Sequence, residues 1–220
     1  MKTIQKQLNT VGKTFVVLML TAAFLFSVQS CKKEDAKDPL TTAKYGELNS
    51  EMQKLWADHM QYTYATVDAY FNNSSALQAS LDRLMKNQEE IGAAIVPYYG
   101  QAAGDQLTTL LKGHINGAVP VLAAAKNNDQ AALDQAVANW RANGKEIADF
   151  LSFANPQNWE QDHMRTHMDD HLTKTIAYSV SLLQKDYPNA VSNYDAAFND
   201  MMHFAESLSE GIAKQFADKF

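Results

Sequence analysis

From residue 46 onward the apolar residues recur every three to four positions, and proline and glycine fall almost only between the blocks so formed. That spacing marks amphipathic helices, and the β-branched alternation of strands is lacking. The pattern predicts six helices. The first runs from about residue 46 to 69, with Leu48, Met52, Leu55, Trp56, Thr63, Thr66 and Tyr70 on one face. Asn72-Asn73-Ser74-Ser75 ends it and caps a second, which carries Leu77, Leu81, Leu84, Ile91 and Ile95. Pro97-Tyr98-Tyr99-Gly100 reads as a turn into a third helix over about 101–126 that buries Leu107, Leu111, Ala118, Val121 and Leu122. Pro120 lies inside it and should kink it, freeing the carbonyl of Asn116. Asn127-Asn128-Asp129 leads into a fourth, with Leu133, Val137, Trp140, Ile147 and Leu151, which Asn155-Pro156 ends. The fifth covers about 159–185. Asp186-Tyr187-Pro188 starts the sixth, which turns Val191, Tyr194, Phe198, Met201, Ala205, Leu208, Ile212 and Phe216 inward. Connections this short imply an all-α, up-and-down antiparallel helical bundle of about six helices, one domain over 46–220 without internal repeats.

Histidine placement changes this picture from a plain bundle to one with a polar layer. At 100° per residue His59 falls within the stripe of the first helix, and His114 falls centrally in that of the third. In the fifth, His163, His167 and His171 step by four; His171 sits on the edge of the stripe, His167 at its margin and His163 outside it. His203 lies off the stripe of the sixth. His59, His114 and His171 each stand about twelve residues from the start of a helix, roughly 20 Å along the axis. Helices one, three and five run parallel, so the three imidazoles share a level. Asn87 and Asn143 fall near the same height, and His167 and Met168 flank His171. A buried polar layer needs mutual hydrogen bonds, water or a bound ligand, because each unpaired group costs about 1–3 kcal/mol. The expectation is a metal ion or small polar ligand held by His59, His114 and His171, with Asn143, Asn87, His167 and Met168 around it. Neutral imidazoles suit zinc, copper or iron, and Met164 and Met168 would favour Cu(I). The alternative is a non-catalytic interaction or scaffold module whose histidines are paired within the core.

Other chemistries find less support. Glu160-x-x-His163 and Asp200-x-x-His203 have the spacing of di-iron ligand pairs, but a di-iron site also wants inward mid-helix glutamates. Gly100-x-x-x-Gly104 opens a helix and does not follow a strand, so it is no phosphate loop. A serine nucleophile elbow is lacking, and no nucleophile and base pair can be named, which leans against an enzyme.

The first thirty residues read as a processing signal. Lys2, Lys6 and Lys13 precede an apolar run over 14–28, too short for a stable span, and Val28-Gln29-Ser30-Cys31 closes it. Cys31 is the only cysteine, which excludes an intrachain disulfide or a thiolate metal cluster. Residues 31–45 then read as a polar tether. Setting aside those three lysines leaves 16 basic against 25 acidic side chains, which argues against a nucleic-acid partner.

Two resemblances extend the reading. The segment ending at Cys31 resembles a bacterial lipobox, which implies cleavage before Cys31, lipidation of that cysteine and attachment to the membrane in the cell envelope. An outer-membrane lipoprotein, periplasmic or surface-exposed, is therefore expected; Lys33-Glu34-Asp35 resembles a short surface-export signal. Leu55-Trp56-Ala57-Asp58-His59, Pro97-Tyr98-Tyr99-Gly100, Trp140-x-Ala142-Asn143, Ile147-Ala148-Asp149-Phe150-Leu151, His171-Leu172 and Gly211-Ile212-x-Lys214-Gln215-Phe216 together resemble a family of uncharacterised bacterial helical proteins. The resemblance spans nearly all of 46–220. It carries no activity, but His59, His114, Asn143 and His171 are among the matching positions, whereas His163, His167 and Pro120 are not.

Overall fold

The structure, a computed structural model, describes residues 37–220. The expected fold class holds. Six long helices, α1 (Ala43–Phe71), α2 (Leu77–Ala94), α4 (Gln101–Lys126), α5 (Gln130–Ala154), α6 (Gln161–Leu183) and α7 (Tyr187–Gln215), are joined by short links, one of which is the single turn α3 (Val96–Tyr99). Among the described residues no helix is long and apolar enough to cross a membrane. Cys31 and the whole of the expected processing signal lie outside the described residues.

Local signals account for the helix ends. Thr42, Asp129, Glu160 and Asp186 each accept a backbone N–H of the first turn that follows. At the other ends, Asn73, Asn128 and Lys185 take left-handed backbone with φ of 53°, 54° and 59°. The next amide then reaches back over the last turn, from Ser74 to Ala69, Asp129 to Ala124 and Asp186 to Ser181. Gly100, at φ 83°, lets the chain reverse between α3 and α4.

Neighbours in space follow the chain. Helix α1 packs on α2, α2 on α4, α4 on α5, α5 on α6, α6 on α7 and α7 on α1, while α1 and α6 also touch across the ring. Five helices thus surround one interior, and α7 seals the groove between α1 and α6.

Several details depart from the sequence expectation. The tether expected up to residue 45 is already helical from Pro39, because Asp38 caps a 3-10 turn and Thr42 then caps α1. The expected Pro97–Gly100 turn is itself one turn of helix, since Pro97 fits the first turn of a helix that needs no proline N–H. Helix α4 keeps its expected bounds through Pro120. Pro120 and Asn116 are both exposed, so water can take the carbonyl that loses its partner. Val191, expected inside, is exposed; Ala190, Ala197 and Phe204 join the expected Met201, Ala205, Leu208 and Ile212 on the buried face of α7.

Candidate functional site

The interior divides at mid-height. On the α3 side it is full: Met52, Trp56, Ile91, Leu107, Ile147 and Ile212 belong to a wall that leaves a void of only about 10 Å³. On the other side lies a chamber of about 640 Å³, lined by α1, α2, α4, α5 and α6. Its wall is built from residues such as Val67, Leu81, Leu84, Val121, Leu122, Val137 and Ile176, and it is almost wholly apolar. Gln78, Val119, Asp134 and Val180 along the wall are exposed, so the chamber reaches the surface.

His59, His114 and His171 all line the chamber, and each is at most 3% exposed. Their ring centroids stand 5.9 Å apart for His59–His171 and 6.0 Å for His114–His171, so His171 couples the other two. The expected convergence from three helices is therefore present. Among the described residues, however, no group of three or more His, Cys, Asp or Glu side chains is arranged to hold a metal ion.

Burial decides the charge of these rings. Desolvation pushes His59 down to about 3, with further repulsion from His114, and it pushes His114 down to about 4. His171 lies well below its ordinary value, again through burial first and then the neighbouring imidazoles. All three are neutral at pH 7.

A shell of amides orients two of them. Asn143 Nδ2 donates to the carbonyl of Leu110 at 3.3 Å, which turns its Oδ1 toward His114 Nδ1 at 2.9 Å. The indole of Trp140 stacks on that imidazole, with 5.2 Å between centroids, and donates to the His114 carbonyl. On the other side, Gln88 Nε2 donates to the carbonyl of Leu84 at 2.7 Å and faces His59 Nδ1 at 3.4 Å. Asn87 accepts from the same Gln88 amide at 3.1 Å and donates to the Leu55 carbonyl at 2.9 Å. The arrangement leaves His114 Nε2, His171 Nδ1 and Thr175 Oγ1 buried without a hydrogen-bond partner.

Placement of the remaining expected residues is mixed. Asn143 touches the layer directly, whereas Asn87 acts through Gln88. Met168 is buried in the core and packs towards Gly144. His167 turns to α7, where its ring lies 4.4 Å from that of Phe204 and Nδ1 is 3.8 Å from Asp200. A step of four residues rotates a helix by about 40°, enough to move His167 from the chamber to the α7 face. His163 and His203 are exposed. Glu160 caps α6 through the amides of Asp162 and His163, which explains its position without a metal.

Sequence reasoning missed Gln88, which is fully buried. It lies four residues after Leu84 and three before Ile91, so its place in the apolar stripe was available as a signal. Thr175 lies on the inward face of α6 as well, and its buried hydroxyl is unpaired.

Comparison of the chain with protein-family models, with curated proteins and with solved structures finds no match.

Proposed function

We propose that the chain is a lipoprotein of the bacterial cell envelope, tethered through Cys31, whose bundle holds a small molecule in the chamber above the His59–His114–His171 layer. One observation carries the binding function: an apolar chamber of about 640 Å³ ends on three buried, neutral imidazoles, two of whose ring nitrogens lack partners. That volume lies within the range of sites for drug-sized ligands, roughly 300–1,000 Å³ with an apolar wall and a few convergent polar groups. The tether rests on the Cys31 segment alone, and Cys31→Ser should move the chain out of the membrane fraction.

The test is titration with an uncharged fluorescent probe, N-phenyl-1-naphthylamine. Wild type should bind one equivalent per chain. Ala118→Phe, which places a ring into the chamber, should abolish binding while keeping the melting temperature. The absence of saturable binding, or binding unchanged by the plug, would overturn the reading and leave the histidines a role in the core only.

A second reading, a metal ion on the same imidazoles, is favoured by His114. Its Nδ1–H donates to an amide oxygen while Nε2 stays bare, the arrangement that usually orients a ligating histidine. One tetrahedral ion would need the rings roughly 1 Å closer than they stand. Elemental analysis of natively purified protein, and melting with and without zinc or copper, separates the two. Bound metal lost in His114→Leu supports the ion.

A further inference from the structure

The chamber is elongated, and its two ends differ. Its lining runs from His59 to Phe71 on α1 and from His171 to Leu183 on α6. Twelve residues at 1.5 Å each make it roughly 18 Å long. The imidazoles form the floor at one end. At the other end Gln78 and Asp134, each within the first two turns of its helix, are exposed to water.

The polar groups of the wall and floor are committed within the protein. Thr63 donates to the His59 carbonyl at 2.6 Å, Thr66 to that of Tyr62 at 2.7 Å and Ser179 to that of Thr175 at 2.7 Å. Gln88 spends both amide hydrogens behind the floor, on Leu84 and Asn87. The unpaired atoms His114 Nε2, His171 Nδ1 and Thr175 Oγ1 have almost no accessible surface. Along the wall, among the described residues, the charged side chains are Asp134, which is exposed, and Arg141, which is paired with Asp169. A polar group carried to the floor would therefore shed its hydration without a partner to replace it, whereas one left beside Gln78 and Asp134 keeps its water.

We infer, resting on the reading of the chamber as a binding site, that it takes a single-headed amphiphile tail first. The hydrocarbon end reaches the imidazole floor, and the one polar head stays in water at the Gln78–Asp134 end. At about 1.2 Å per bond along an extended chain, the chamber accommodates a tail of roughly 12–15 carbons. The apolar wall recognises that tail by burial and shape, and the closed floor rejects a second polar end.

Two isomers of one composition test this by displacement of N-phenyl-1-naphthylamine from the wild-type protein, each below its micelle concentration. 1,2-Dodecanediol carries both hydroxyls at one end, whereas extended 1,12-dodecanediol must take one of them to the floor. The 1,2 isomer should bind at least about ten-fold tighter, the cost of stripping water from one hydroxyl that gains no partner. Orientation has its own readout. Trp56 and Trp140 stand against His59 and His114, with 5.5 and 5.2 Å between ring centroids. Bromine at the tail end, in 12-bromo-1-dodecanol, should quench tryptophan fluorescence more than bromine beside the head, in 2-bromo-1-dodecanol. Equal affinity of the two diols, no displacement by the 1,2 isomer, or quenching no weaker from the head position would overturn the tail-first assignment while the probe still reports the chamber. No probe binding in wild type would instead sink the binding function itself.

Discussion

At the α3 end of the bundle, Gly92 and Gly104 bring α2 and α4 backbone to backbone, and Trp159 lies over Gly211; at the opposite end, Ala118, Ala125 and Thr175 line open space. A Cβ on Gly92 would stand 2.6 Å from the Gly104 carbonyl oxygen, and one on Gly211 would stand 2.1 Å from Trp159 Nε1. The packed half has no room for a methyl group. The hollow half has room for a molecule. Apolar burial at the packed end and along the α7 seam stabilises the fold, so the other end can forgo packing without unfolding. The imidazole layer is the boundary between the two uses of volume.

The largest break of this comparison should come at the packed end. Gly92→Ala should lower stability by about 3 kcal/mol in urea denaturation, because the added carbon strikes the Thr108 hydroxyl and also the Gly104 carbonyl, which is backbone and cannot rotate away. A loss below about 0.5 kcal/mol would show that α2 and α4 are not jammed there.

Acid should act next, on the boundary. His59 and His114 sit at about 3 and about 4 in the fold, below the ordinary histidine value of 6.5, so the unfolded chain takes up protons first. Their contribution is whole above about pH 6.5, is lost as pH falls, and stops declining once the folded rings protonate at their own lowered values. Each should cost about 2 kcal/mol at pH 5, and His59→Phe should flatten the stability profile between pH 6.5 and 5 by about that amount. Identical profiles for wild type and variant would contradict the buried neutral ring.

How much of this was legible in the chain differs by kind of feature. The helices and most of their ends were, because apolar spacing and Asn, Asp and Pro signals act locally. The three-histidine convergence was legible too, since direction on the stripe and height along the axis are set by counting residues. The chamber was not. Leu81, Leu84, Val121 and Leu122 read as ordinary core, and no pattern of residue types says that facing helices leave a gap between them. His167 shows the limit of angular reasoning, as a margin position goes to whichever neighbour, here Asp200 and Phe204, lies beside it. The tautomer of His114 became assignable only once the amide of Asn143 was in place.

Smaller effects sharpen the contrast. Ala118→Phe at the hollow end should be neutral or stabilising by up to about 1 kcal/mol, the reverse of Gly92→Ala, because added atoms meet space instead of backbone. A loss above about 2 kcal/mol would mean that the chamber is closed in solution. Lys214→Ala, which removes an exposed pair with Glu210, should change stability by less than about 0.5 kcal/mol.

The most direct test is the nitrogen-15 spectrum of the imidazole rings at pH 7, recorded with and without one equivalent of N-phenyl-1-naphthylamine. The account predicts three neutral rings, with the His114 proton on Nδ1 where Asn143 Oδ1 accepts it, and a shift of the imidazole resonances when the probe is added. Protonated rings, a His114 proton on Nε2, or resonances that the probe leaves unmoved would contradict it.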